Sequence, residues 1–94
     1  MSKKQVRSST AKKIKDLTNY AGEVALFELS KGIKKGPINH KYVIVVRNKP
    51  TSGQNNTSIW LANEAGTISY TEPVKEMFSD NMQDALSQFG YKYL

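Results

Sequence analysis

Ninety-four residues with 38% hydrophobic content and no cysteine bound one small domain with a modest core, and exclude disulfides, thiolate metal sites and a cysteine nucleophile. The formal charge of +6 is unevenly placed: residues 1–49 hold 12 Lys/Arg against Asp16, Glu23 and Glu28, whereas residues 50–94 hold Lys75 and Lys92 against five acids. That asymmetry points to an acidic partner, and no stretch approaches the roughly 18 apolar residues of a membrane span, which makes the cytoplasm the expected location.

Residues 1–8 (MSKKQVRS) are polar and basic, without the apolar core of a secretory signal, and are expected to form a flexible basic arm ahead of a single domain over 9–94. Ser8 or Ser9 is placed to cap a helix in which Ala11, Ile14, Leu17 and Ala21 fall on one face, ending at Gly22. In Glu23–Lys31, Ala25, Phe27 and Leu29 alternate as in a strand, while Leu26, Leu29 and Ile33 also make a helical stripe. The strand is the preferred reading, because GIKKGP (32–37) follows it as a turn.

His40–Arg47 (HKYVIVVR) is the continuous apolar run of the chain. Tyr42 to Val46 are all β-branched or aromatic, as in a central strand buried on both faces. Asn48–Thr57, with Pro50 and Gly53, is a loop of the length that often touches partners. Ser58–Ala62 and Thr67–Tyr70 then pair as a hairpin closed at Gly66. Val74, Met77 and Phe78 could add a helical turn. Met82, Ala85, Leu86 and Phe89 define a final helix with Ser79 as N-cap and Gly90 as C-cap, and Tyr91–Leu94 could form an edge strand. The expected fold is α+β: a three- or four-stranded antiparallel sheet, an N-terminal helix, and a C-terminal helix packed on one sheet face.

The succession KYVIVV, SIWLANEAGTI and DALSQFGYKYL within residues 41–94 resembles small uncharacterised accessory proteins of tailed phages. The resemblance rests on hydrophobic pattern, a Trp, an Asn-Glu-Ala-Gly turn and a helix-closing Phe-Gly-Tyr. It implies a small accessory protein and carries over no catalytic residue.

Side-chain chemistry points away from catalysis. His40 is the single histidine, with no cysteine or spaced carboxylates to complete a metal site and no evident nucleophile to activate. Glu72, Glu76, Asp80 and Asp84 recur every four residues, a pattern that reads as a solvated helix face rather than an acid–base constellation, because the core stripe runs through Met82, Ala85, Leu86 and Phe89. Gly32–Gly36 lacks the Gly-Lys-Ser/Thr ending of a phosphate loop. No metal, cofactor or enzymatic activity is expected.

The basic set is the better signal. Lys3, Lys4, Arg7, Lys12, Lys13 and Lys15 crowd the arm and first element, and Lys31, Lys34, Lys35, Lys41, Arg47 and Lys49 mark the ends of the next two. Sharing one face they would neutralise several phosphates; dispersed, they are a solvated lysine-rich surface. Only two of the fourteen cations are arginine, which disfavours bidentate base readout. Trp60, with Tyr42 and Tyr70, is either core or an exposed aromatic anchor. The leading expectation is a non-enzymatic protein whose basic N-terminal half binds nucleic acid, salt-sensitively and with little sequence preference. The alternative is a phage- or mobile-element-type protein that binds and modulates a host protein through the aromatic set. Homo-oligomerisation would be one remedy for the small core.

Overall fold

A computed structural model describes residues 9–17, 23–48 and 55–94. The chain is mainly β, and this corrects the α+β expectation. Strands β1 (Thr10–Asp16), β2 (Glu23–Lys35), β3 (Ile38–Arg47), β4 (Thr57–Ala62) and β5 (Lys75–Met77) are followed by one short helix, α1 (Met82–Phe89), and a two-residue strand β6 (Lys92–Tyr93). They form one six-stranded sheet in the order β5-β4-β3-β2-β1-β6. All neighbours are antiparallel except β1 and β6, which are parallel.

Where the N-terminal helix is expected, Thr10–Asp16 form strand β1, and residues 18–22 of that stretch, with Ala21 and Gly22, lie outside the described residues. A helix of about three turns that carries the β-branched Thr10 and Ile14 is marginal on its own. The edge of the long strand β2, by contrast, offers a row of backbone donors and acceptors to pair with. A bulge between Lys13 and Lys15 shifts the register around Ile14. Ala11 therefore packs in one cluster and Leu17 in the other. An insertion of this kind breaks the two-residue alternation, leaving the three-residue spacing that resembles a helix stripe.

β3 is buried on both faces: Val43, Ile44 and Val45 are all buried. On one face Ala25, Phe27, Leu29, Val43, Val45, Ile59 and Leu61 meet Ala85 and Leu86 of α1. On the other face Leu26, Ile44 and Ala62 form a smaller cluster with Leu17, Val24, Tyr42, Val46 and Trp60 packed around it. The turn after β4 reaches this second face, for a methyl added at Gly66 would lie 3.7 Å from both Leu17 Cδ2 and Lys15 Cε.

Three further expectations change. Of Thr67–Tyr70 only Ile68 bridges β4, at Ala62. The true partner of β4 is β5, where Thr57 faces Met77 and Ile59 faces Lys75, so the segment around Val74–Phe78 is extended rather than helical. The N-cap of α1 is Asn81, whose side chain accepts from Asp84 N–H at 2.7 Å. Ser79 is instead buried, its hydroxyl 2.6 Å from that of Thr57. Gly90, at φ 99°, closes the helix as expected.

Candidate nucleic-acid interface

β2 and β3 extend together as a two-stranded ribbon. Glu28 pairs with Tyr42, then Ile33 with His40, so four residues of β2, Leu29 to Gly32, stand opposite Lys41 alone. So large a bulge bends the ribbon away from the sheet plane. At the bend the Tyr91 hydroxyl donates to the Lys31 carbonyl at 2.7 Å, and Ser30 Oγ accepts from Thr10 N–H at 2.7 Å. Burial raises the Tyr91 pKa above the usual tyrosine value. Gly32 lets the Asn39 side chain lie close over the backbone there, since a Cβ would come within 2.5 Å of it and the amide would have to swing aside. Beyond the bend, GIKKGP is strand up to Lys35, and only Gly36-Pro37 turns. Gly36 takes φ 62°, as a two-residue hairpin demands.

The ribbon collects Lys31, Lys34, Lys35 and Lys41, all exposed, with no acid between Ser30 and Lys41. Ile38 at its tip is 53% exposed. A side support holds this arm: His40 Nε2 lies 3.0 Å from the Tyr70 hydroxyl, and Lys35 Nζ sits 4.9 Å above the Tyr70 ring. His40, considered earlier as a base or ligand, is thus buried against Tyr70 as a packing residue.

The remaining basic residues are placed elsewhere. Lys12 and Lys15 lie on β1, in lateral rows with Tyr42 and Trp60 on the second sheet face. Lys13 is on the opposite face and bonds Asp16 at 2.8 Å, a contact that raises the lysine pKa. Arg47, at the far end of β3, donates to Glu23 at 2.9 Å and approaches the Ser79 carbonyl at 3.4 Å, a structural role. Lys3, Lys4, Arg7 and Lys49 lie outside the described residues, as do the 1–8 arm and most of the Asn48–Thr57 loop. Of the fourteen cations, the described residues therefore hold ten, against all eight acids.

The aromatic anchor set is divided. Tyr70 packs with the main core, whereas Tyr42 and Trp60 pack on the opposite face. Trp60 is neither fully buried nor free, and its indole N–H donates to Ser58 at 2.8 Å. Tyr42 borders an open groove of about 420 Å³ that runs along β3 from Ile38 to Tyr42 and across to the turn after β4. Its hydroxyl pKa is raised by burial and then by the nearby Glu28 and Glu64 carboxylates.

The acidic series is dispersed: Glu72 is in a loop, Glu76 on β5, Asp80 before the helix, and Asp84 spent on the cap. Among the described residues no group of three histidines or carboxylates could hold a metal ion, and no helix is long and apolar enough to cross a membrane. Sequence reasoning named Lys34, Lys35 and Lys41 but did not see that a bulge and a Tyr70 prop make one arm of them. The acid-free stretch from Ser30 to Lys41 was the available signal. No family model, curated protein or solved structure matches the chain.

Proposed function

We propose that this is a small non-enzymatic nucleic-acid-binding protein of the cytoplasm, and that the β2–β3 ribbon is its contact element. The observation that carries the reading is the gathering of Lys31, Lys34, Lys35 and Lys41 on one acid-free two-stranded arm, on which the consecutive Lys34 and Lys35 take opposite faces so that phosphates can be met from both sides. Lysine ammonium groups neutralise phosphates as point charges and carry little base information, so binding is broad in sequence and driven by counterion release. The bend and the Tyr70 prop lower the cost of holding the arm in place on binding.

The test is a fluorescence-anisotropy titration of labelled oligonucleotides across a salt series. Four phosphate contacts give a log–log slope of roughly −3 to −4. Replacing Lys34, Lys35 and Lys41 together by Gln flattens that slope and weakens binding on every sequence. A triple variant that binds like the parent, or a parent indifferent to salt, rejects the reading.

A further inference from the structure

We infer that the open groove along the β3 side of the ribbon receives one unpaired nucleobase, and that its Glu64 carboxylate favours a base bearing an exocyclic amino group. The inference rests on the proposed nucleic-acid function and assigns it a strand form, single rather than double, and a reading position.

The groove, of about 420 Å³, is lined from the ribbon side by Ile38, Asn39, His40 and Tyr42, and from the turn after β4 by Asn63 and Glu64. It is an open groove rather than an enclosed pocket, which suits one base laid in from solvent, and it combines apolar wall, an aromatic ring and a few polar groups. Tyr42 offers a phenol ring at the wall, and unpaired bases are commonly held by stacking on such rings. The amides of Asn39 and Asn63 supply both donors and acceptors. Asn63 spends its side-chain oxygen on Thr67 N–H at 3.0 Å, which leaves its amino group to donate. Glu64 is exposed and accepts only: cytosine offers it an amino group at the corner of the ring, whereas thymine offers only N3–H, set between two carbonyl oxygens that repel the carboxylate.

The occupant follows from the surroundings. Lys41 is itself part of the groove lining, and Lys31, Lys34 and Lys35 continue along the same arm. A phosphodiester strand neutralised along the ribbon thus brings its next base to the opening. A paired base cannot enter, because its polar edge is already engaged within the duplex.

The experiment compares labelled oligo-dC, oligo-dT and a mixed duplex of equal length by anisotropy, with the intact protein and Glu64→Ala. The parent should bind oligo-dC roughly fivefold or more tightly than oligo-dT, and either single strand more tightly than the duplex. Glu64→Ala should bring the dC/dT ratio to one while its thermal melt matches the parent, since the exposed Glu64 side chain makes no hydrogen bond or ion pair among the described residues. Tyr42→Leu should weaken both single strands and leave the duplex unchanged. Equal affinity of the parent for dC and dT, a ratio unaltered in Glu64→Ala, or a duplex bound as tightly as single strands overturns the inference. In those cases loss of binding in the Lys34/Lys35/Lys41 variant still upholds the ribbon. A parent that binds none of the three removes both.

Discussion

Asn56 is the residue on which the end of the sheet depends. Its amide donates to the Ser79 carbonyl at 3.0 Å and to the Asn48 carbonyl at 3.2 Å, while its oxygen accepts from Ser79 N–H at 2.8 Å and from Thr57 Oγ1 at 3.1 Å. Asn56, Thr57 and Ser79 are all buried, so one side chain satisfies polar groups from three segments that water reaches poorly. Asn56→Ala orphans several of them together and is expected to cost about 2–4 kcal/mol. Urea denaturation reads this directly; a midpoint unchanged from the parent would show that the network contributes nothing to stability. Tyr91 gives a second test. Burial raises its pKa, so the hydroxyl binds its proton more tightly in the folded chain than in the unfolded one. Its contribution is therefore complete below the unfolded value of about 10 and is lost as pH climbs through the raised folded value. Tyr91→Phe should flatten the fall in melting temperature above that pH and alter the slope little at neutrality. An alkaline limb identical in the two proteins would remove Tyr91 from the transition.

Among the elements, α1 is held by a narrower contact than its sequence stripe implies. Ala85 and Leu86 are both 0% exposed, whereas Phe89 is half-buried and tilts against Tyr91, with ring centroids 5.4 Å apart. The helix faces the sheet side that carries Ile59, and Ile44 belongs to the opposite face. Leu86→Ala should consequently cost about 2–5 kcal/mol, and Phe89→Ala clearly less, in paired thermal melts. The reverse order would place the aromatic ring, not the leucine, at the centre of the contact. Other elements show what the residues alone reveal. β3 is legible because Tyr42–Val46 is apolar at consecutive positions, which only a two-faced strand or a wholly buried helix accommodates. β1 is misread because its bulge at Ile14 lies in register, and register depends on the partner strand rather than on local spacing. β5 carries one buried residue in three, Met77. It is specified by its hydrogen bonds to β4 and by the Asn56 network beside it, and KEM by itself contains nothing to announce a strand.

At the scale of the whole molecule, charge and shape separate in a way that composition conceals. The chain is +6 overall, yet the described residues hold ten cations against eight acids, so most of the excess comes from Lys3, Lys4, Arg7 and Lys49. The site was partly legible for the same reason: the lysines were visible, but the division of the described ones between β1 and the β2–β3 ribbon depends on tertiary structure. Two sources of phosphate attraction then compete to explain binding, and deleting residues 1–8 distinguishes them. That deletion removes three cations and should reduce the magnitude of the log–log salt slope by at most about 3. If the ribbon is the contact element, the shortened protein still binds, more weakly, with a residual slope of roughly −3 that disappears when Lys34, Lys35 and Lys41 become Gln. If the arm is the contact element, the deletion alone abolishes binding and the ribbon variant keeps it. Titrations of the four proteins over one salt series decide between these outcomes, because the basic residues 1–8 and the lysine ribbon contribute additively to the slope only when both reach the same strand.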